Sequence, residues 1–307
     1  MKYLDPKNDL TFKCVFGEHK HLCMSLINSM LPLQKPIVSI EYQTGELIAE
    51  LPEVLRHSVV DVRCTDSDGR QFIVEMQLYF SELFRRRVLL NASKAYVMQL
   101  KKADEFKLLQ PVYALNFVND VFEKSEAMKN EYYHYYKIVN IKDTEKQIKG
   151  LEFLFVELPK FRPQGRAEKK LHELWLRFLT EINENTQEVH KDLLENELTR
   201  EAVGYMERAA YTIEQLEAYD QRKIDAMTER GLISDALEKG EAIGLEKGEA
   251  IGFEKGEAIG LEKGRSENRE ETVINCHKAG FSFDIISTVS GLTVEQIIKI
   301  LKRNAFL

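Results

Sequence analysis

Two acidic residues and an amide, Asp61, Glu75 and Gln77, lie in a stretch that reads as one β-hairpin, HSVVDVRCTDSDGRQFIVEMQLYF. Runs of β-branched and apolar residues flank an Asp-Ser-Asp-Gly turn. If the turn is a three-residue loop ending at Gly69, Asp61 lies directly opposite Glu75 on one face. Opposed carboxylates repel unless a cation or a proton lies between them, and such oxygen ligands suit Mg²⁺. The pattern therefore predicts a metal site.

The alternation of side chains along each strand decides which residues share the acidic face. It places Gln77 beside the acids and directs the apolar positions to the core: Val60, Val62, Cys64, Phe72, Val74, Met76 and Leu78. Two alternatives stay open. A two-residue Asp68-Gly69 turn would set Asp61 opposite Met76 and on the wrong face. The acids could also form an ordinary solvated face that Arg63 neutralises.

The spacing D…E-x-Q resembles the PD-(D/E)xK nuclease superfamily, in which a strand Asp and an E-x-K pair bind the metal and activate water. The glutamine variant is similar to one branch, the recombination-promoting nucleases, which are often labelled transposases. An N-terminal D-x-x-F-K-x-x-F-G motif, an R-x5-S-x-x-Y motif and glycine-rich octads near the C-terminus extend the resemblance. The residues concerned are Asp9, Phe12, Lys13, Phe16 and Gly17 in the first motif, and Arg87, Ser93 and Tyr96 in the second.

The resemblance implies an α-β-β-β-α-β nuclease-like core and metal-dependent cleavage of DNA. Asp61 and Glu75, joined by the backbone carbonyl of Met76, would bind Mg²⁺ or Mn²⁺, and Gln77 would position the attacking water. From the first helix, Asp9 would add an outer carboxylate and Lys13 would replace the lysine that Gln77 displaces. This predicts a DNA endonuclease that acts in recombination or in defence against foreign DNA. A DNA-binding or regulatory protein that retains the fold is an alternative, and so is a transposase.

Basic residues that could contact DNA must form a local surface, because the 307-residue chain has a net charge of −7. A helix capped by Ser81 and running to about Lys102 should bury a stripe made of Leu89, Ala92, Tyr96 and Leu100. The positions that should line up as a phosphate-contacting ridge on another face are Arg87, Lys94 and Lys101. Tyr96, a member of the second motif, joins them as a candidate DNA contact. A solvated helix face is the alternative.

The remaining segments predict a nuclease-like domain over residues 1–165 and a helical extension over 166–235. The first begins with a helix over 8–31 and continues with strands near 38–42, 111–118, 132–141 and 151–158. The strand over 132–141 carries four tyrosines, Tyr132, Tyr133, Tyr135 and Tyr136. They favour a half-buried sheet position over stacking on unpaired bases.

The C-terminal part begins with near-identical octads, LEKGEAIG, over residues 236–267. A period of eight residues forms no fixed apolar stripe on a helix, and two glycines per octad cost roughly 1 kcal/mol each. We expect a weakly helical, mobile spacer. Residues 268–307 read as a helix-turn-helix-like module whose last helix opens with a capping box at Thr293. Its candidate DNA contacts are Lys299, Lys302 and Arg303, although dimerisation or simple packing would give the same pattern.

The four cysteines show neither metal-ligand nor disulfide-framework spacing, which predicts free thiols in a reducing compartment. They are Cys14, Cys23, Cys64 and Cys276. No signal-peptide core and no apolar run of membrane-spanning length occurs in the sequence. We therefore expect a cytoplasmic protein that does not contact membranes, and the pattern leaves a homodimer open.

Overall fold

The computed structural model of the chain describes residues 2–43, 61–100, 106–163 and 171–306. The chain divides into two compact units, Met1–Arg230 and Gly231–Leu307, each of which we describe separately. The finer division into four parts, with boundaries after residues 165, 235 and 267, stays a prediction.

The first unit is a mixed α/β structure, which confirms the predicted fold class at that level. Its elements are α1 (Asp9–Glu18), α2 (Lys20–Met30), β1 (Ile40–Tyr42), β2 (Val62–Asp66), β3 (Gln71–Gln77), α3 (Glu82–Val97), β4 (Val112–Val118), β5 (Tyr133–Asn140), β6 (Asp143–Glu157), α4 (Leu171–Glu181), α5 (Lys191–Glu195) and α6 (Glu197–Tyr205). The strands form one sheet in the order β1-β2-β3-β4-β6-β5. The central strands β3, β4 and β6 are parallel, and the pairs β1–β2, β2–β3 and β5–β6 are antiparallel.

Helices cover both faces of this sheet, because alternate residues of the central strands are apolar on both sides. On one face, Phe72 and Val74 pack with α1, α2 and the helices that follow the sheet, around Trp175. On the other face, Ile73 packs under α3 with Phe84 and Val88. The face covered by α3 is called the α3 face below. Glu75 lies on it, two residues after Ile73.

The predicted helix over residues 8–31 is two helices, so this prediction is wrong in its continuity. The backbone of His19 is extended, with φ −113° and ψ 92°, and it separates α1 from α2. The His19 ring stacks on Tyr205 of α6 at 4.0 Å between centroids, and its Nδ1 lies 2.8 Å from the Cys14 carbonyl oxygen. These tertiary contacts outweigh the local preference for a continuous helix.

The β2–β3 turn has the three-residue form that sets Asp61 opposite Glu75. Gly69 has φ +82°, and its N–H donates to the Asp66 carbonyl oxygen at 3.0 Å. The Asp66 carboxylate accepts from the N–H groups of Asp68 and Arg70 at 3.0 and 2.9 Å. The strand register runs from Thr65 opposite Gln71 to Val62 opposite Val74, so the next pair is Asp61 and Glu75. The predicted register is therefore confirmed, and the two-residue turn is excluded.

The octads lie in a long helix, α7 (Ile213–Lys278), which begins in the first unit and ends in the second. Residues 236–267 are helical throughout, and a Cβ on any octad glycine would meet nothing within 4 Å. The helix is more complete than expected, whereas the mobility of this segment stays a prediction.

The end of α7, α8 (Phe283–Ser290) and α9 (Val294–Arg303) share a small core. That core contains Val273, Ile286, Ile297 and Leu301. The predicted capping box at Thr293 is present, and Gly291, with φ +67°, ends α8.

The four cysteines are free; Cys23 and Cys64 are buried, whereas Cys14 and Cys276 are half-buried. Within the described ranges, none of the helices combines the length and the apolar character needed to cross a membrane.

Candidate functional site

Helix α1 brings two residues of the N-terminal motif to the start of β2. Asn8 caps α1 by accepting from the Leu10 N–H, and Asp9 and Lys13 then lie one turn apart on the helix. The Lys13 ammonium lies 2.6 Å from the Asp9 Oδ1 atom and 3.5 Å from the Asp61 Oδ1 atom. One cation thus contacts Asp9 and Asp61, two acids that are distant in sequence.

The second carboxylate oxygen of Asp61 makes a hydrogen bond with β3 at the end of the β2–β3 pair. Its Oδ2 atom accepts from the Met76 N–H at 2.7 Å. The N–H and C=O of one strand residue point to the same side, so the Met76 carbonyl also faces Asp61. The Met76 side chain lies in the core on the opposite face. This backbone therefore presents a carbonyl oxygen beside the Asp61 carboxylate.

Glu75 is buried beneath α3, where two side chains of that helix reach it. The Asn91 Nδ2 atom donates to its Oε1 atom at 3.3 Å, and the Arg87 Nη2 atom lies 3.7 Å from its Oε2 atom. Arg87 also donates to the Gln77 Oε1 atom at 3.0 Å. The side-chain oxygen of Gln77 therefore accepts from Arg87, and its Nε2 amide is the group that can donate to another molecule.

Burial dominates the electrostatics of the two opposed acids. It raises the pKa of Asp61 to about 8; the Met76 N–H opposes the shift, and the nearby charges of Asp9 and Glu75 add to it. Burial also raises the pKa of Glu75, although Arg87, Asn91 and Lys13 oppose this rise. At Asp9 burial is outweighed, and Lys13, a hydrogen bond with Asp61 and the Arg222 guanidinium hold the pKa below its usual value. The opposed pair therefore favours a proton or a further cation.

The residues of this site fit a hard divalent cation in the chemistry of their donor atoms. Two carboxylates and a backbone carbonyl are the oxygen ligands that Mg²⁺ and Mn²⁺ accept. Over the described ranges, no group of three His, Cys, Asp or Glu side chains forms a metal-binding cluster. A cation here would thus depend on Asp61, Glu75 and backbone or solvent oxygens, with Asp9 held by Lys13 outside them.

The predicted basic ridge on α3 is wrong in its geometry. Lys94 is buried under the helix, whereas Leu89, expected in the core, is 52% exposed. The residues that α3 buries instead are Phe84, Val88, Asn91, Ala92, Lys94 and Ala95. The helix packs on the sheet through the apolar stripe of Phe84, Val88 and Ala92. This orientation buries Asn91 beside Glu75 and lets the exposed Arg87 reach the same carboxylate from the rim. Tyr96 is half-buried against Gly150, and Lys101 lies outside the described residues.

The basic residues predicted in the C-terminal module differ in their surroundings. Lys299 and Lys302 are exposed on α9. Arg303 forms an ion pair with Glu270 of α7, and Asn304 donates to the same carboxylate. The two lysines thus remain the candidates for contact with a phosphate backbone, while Arg303 holds the helices of the module together.

Three residues near the site were not predicted from the sequence. Asn91 lies four positions after Arg87 on the same side of α3, a spacing that could have identified it. Asn116 lies next to Glu75 in the β3–β4 register and is fully buried. Arg222 of α7 approaches the Asp9 Oδ2 atom with its Nε at 3.6 Å. No local signal connects Arg222 with Asp9, because they are brought together only by the tertiary fold.

A family model described as "PD-(D/E)XK nuclease family transposase" matches residues 6–235. This chain belongs to that family. The match includes α1, the β2–β3 hairpin, α3 and the first turns of α7, so every residue of the candidate site lies within it. No curated protein and no solved structure matches the chain.

Membership in the PD-(D/E)XK nuclease family agrees with the arrangement of the site. The acids predicted to bind the metal lie on one hairpin, and the motif residues Asp9, Lys13 and Arg87 converge on it. The family supports a nuclease-like function for this chain, although its label also includes transposition.

Proposed function

We propose that this protein is a metal-dependent endonuclease that hydrolyses phosphodiester bonds in DNA. The observation that carries the proposal is the opposition of Asp61 and Glu75 at the end of the β2–β3 pair, within a PD-(D/E)XK nuclease family chain. A buried acid facing a half-buried one is unfavourable without a cation, and stability alone gives no reason to keep the pair.

In this proposal, Asp61, Glu75 and the Met76 carbonyl hold Mg²⁺, and Mn²⁺ can replace it. When bound, such a cation would polarise the scissile phosphate and lower the pKa of a water molecule. Metal binding requires ionised carboxylates, so the proton that burial favours on Asp61 has to leave first.

The remaining roles belong to the protein's own side chains. Gln77 offers its Nε2 amide to the attacking water, because Arg87 engages its Oε1 atom. Lys13 places an ammonium beside Asp61, where it stabilises negative charge that develops on the phosphate. Arg87 holds Gln77 and balances Glu75, so it positions both groups. The neutral amide of Gln77 cannot supply positive charge as an ammonium can, which makes Lys13 the candidate for the part of the superfamily lysine that stabilises developing charge.

The test is nicking of supercoiled plasmid in Mg²⁺, Mn²⁺ or EDTA by the wild type and by Glu75→Gln. Gln is nearly isosteric, so the fold is retained while the charge is lost. We expect metal-dependent nicking that falls at least about a thousandfold in Glu75→Gln. Glu82→Gln, a change at an exposed acid on α3, serves as the matched control and should cut normally. Undiminished nicking by Glu75→Gln would contradict the proposal.

Two other functions compete with hydrolysis. The family label favours a transposase, but the acids predicted here share one hairpin instead of being spread over three elements. Joining of a labelled DNA end to a target strand would support that function. A DNA-binding or regulatory protein is favoured by Gln77 in place of lysine. DNA binding that persists in EDTA, without nicking under any condition, would support it.

The biological role proposed from the resemblance is DNA recombination or defence against foreign DNA. In either role, the C-terminal module would add a second DNA contact through Lys299 and Lys302, which are exposed on α9. Replacement of both lysines by Gln should weaken DNA binding and reduce its salt dependence. The hairpin site would keep its chemistry.

A further inference from the structure

An apolar groove opens between α3 and the sheet, outside the residues assigned to metal binding. It has a volume of about 270 Å³ and is lined by Arg85, Arg86, Leu89, Tyr136, Phe153 and Phe155. Tyr136 and Leu89 are 45% and 52% exposed. With Phe153 and Phe155 they form a concave, mostly apolar surface, which is the usual character of a ligand site.

The groove lies on the same sheet face as Glu75, and the strand register gives the distance between the groove and Glu75. Glu75 pairs with Asn116 on β4, and Asn116 pairs with Phe155 on β6. Each strand is about 4.8 Å from the next, so the groove begins about 10 Å from Glu75 along the sheet. Tyr136 is the cross-strand neighbour of Phe153 in the β5–β6 pair, and its ring meets Phe155 edge-on at 5.9 Å, so aromatic rings from both strands form the floor.

Two cations border this aromatic floor. The Arg85 guanidinium lies over the rings of Phe80 and Phe122 at 5.0 and 5.6 Å, which fixes it at the edge of the groove. Among the described residues, no acid pairs with Arg86, and its side chain is exposed. A chain with a net charge of −7 thus places two arginines next to stacked aromatic rings.

We infer that this groove binds an unpaired nucleotide of the DNA strand that enters the site, with its base on Tyr136 and Phe153 and its phosphate at Arg86. This inference rests on the proposed function and adds a substrate class to it. Aromatic faces bind bases of any sequence, and arginines contact the flanking phosphates. In the part of the chain that the structure describes, the groove is lined by no side-chain amide or carboxylate that could read a base edge, so we expect a preference for unpaired DNA without sequence specificity.

The occupant follows from the chemistry of the groove. Arg85 is ion-paired with Glu82 on α3, so the occupant has to account for Arg86. A membrane or a protein segment would use the apolar floor but would leave the exposed Arg86 unexplained. A base-paired stretch cannot reach Phe153, because a paired base does not expose its face. A nucleotide combines a flat aromatic group with a phosphate, and both features match the groove.

The experiment measures binding of a fluorescein-labelled single strand and of its duplex to the full chain in EDTA, so that cleavage does not contribute. The variants are Tyr136→Ala and Tyr136→Phe, with Ile148→Ala as the control for loss of an exposed apolar side chain elsewhere on the sheet. We expect Tyr136→Ala to weaken single-strand binding about tenfold and duplex binding much less. Tyr136→Phe keeps the ring and should bind as the wild type does, as should Ile148→Ala.

Photocrosslinking with a strand that carries 5-iododeoxyuridine should attach the DNA to Tyr136 or its neighbours on the groove. Equal loss of single-strand and duplex binding in Tyr136→Ala, unchanged binding, or no single-strand binding by the wild type would each overturn the inference. Loss of a dimer in Tyr136→Ala, without loss of DNA binding, would assign the groove to self-association instead. Single-strand binding through Tyr136 in a protein that never cuts DNA would support the groove and contradict the nuclease.

Discussion

Two buried glutamates on the α3 face show how differently one sheet can treat the same side chain. Glu157 accepts from the N–H groups of Phe122 and Glu123 at 2.6 and 3.0 Å, and it lies 2.8 Å from His134 Nε2 and 2.5 Å from Lys160 Nζ. Its pKa is lowered, although burial opposes this shift. Within the part of the chain that the structure describes, the side-chain contacts of Glu75 are Asn91 at 3.3 Å and Arg87 at 3.7 Å, and burial raises its pKa.

The difference separates an acid that serves the structure from the acid to which the proposed function assigns the metal. Glu157 has its charge balanced from every side, and it ties the segment after β4 to the sheet. At Glu75 and Asp61 the negative charge of the two carboxylates is only partly compensated, and another positive charge would stabilise the pair. A site that has to bind a cation during its work is necessarily incomplete before the cation arrives.

The largest effect that would test this comparison is on stability. Glu157→Gln should lower the free energy of unfolding by about 3 kcal/mol, since it leaves a buried network of cations and N–H donors without their anion. Glu75→Gln should leave stability unchanged or slightly higher, since its buried charge is poorly compensated. Urea denaturation of both variants measures this. Equal destabilisation by the two changes would remove the distinction between the acids.

A smaller effect is expected from Asp61→Asn, which should raise stability by about 1–3 kcal/mol at pH 8. The folded-state pKa of Asp61, about 8, lies above its unfolded value. The folded protein therefore holds a proton that the unfolded chain releases, and the wild type loses stability as pH rises from about 4 to 8. Denaturation midpoints across this range should converge at acidic pH. If the stability difference between Asp61→Asn and the wild type does not grow with pH, Asp61 does not hold the proton assigned to it.

The smallest effect is the shift in melting temperature caused by Mg²⁺. We expect stabilisation of about 1 kcal/mol or less at millimolar Mg²⁺, larger at pH 8.5 than at pH 6.5, because ionisation of Asp61 favours the metal. Mg²⁺ should leave the melting temperature of Asp61→Asn unchanged. It should still raise the melting temperature of Glu157→Gln above the value that this variant has without Mg²⁺. Thermal denaturation monitored by circular dichroism reports it without any requirement for catalysis. The same shift in all three proteins would place the cation elsewhere.

The sequence allowed the hairpin to be predicted in detail, because its register depends on a local turn. Asp66 and Gly69 are sufficient to fix the three-residue loop, and the alternation of the strands follows from it. The start of α3 at its Ser81 cap was also predicted, since a cap is a local signal, but the helix ends at Val97 and not near Lys102. The inward face of α3 was predicted wrongly, because two apolar stripes overlap on this helix and only packing on the sheet selects the one through Phe84 and Val88 over the one through Leu89.

Contacts between distant segments were similarly beyond prediction. Arg222 approaches Asp9 only after α7 packs on the first unit, and no spacing in the sequence connects the two residues. The groove beside Tyr136 requires both the β5–β6 pairing and the rotation of α3 that exposes Leu89. Periodicity indicated that the tyrosines would alternate between faces, but it could not show which of them border an open space.

The β2–β3 turn has one more consequence, which concerns the mutations that this gene can tolerate. Exposed turns commonly accept insertions and deletions, and residues 67–69 form such a turn. Loss or gain of a single codon here would shift β2 by one position and send Asp61 into the hydrophobic core. Substitutions that keep the length are expected to be accepted far more readily. Selection at this turn should therefore act on its length more strongly than on the identity of most of its residues.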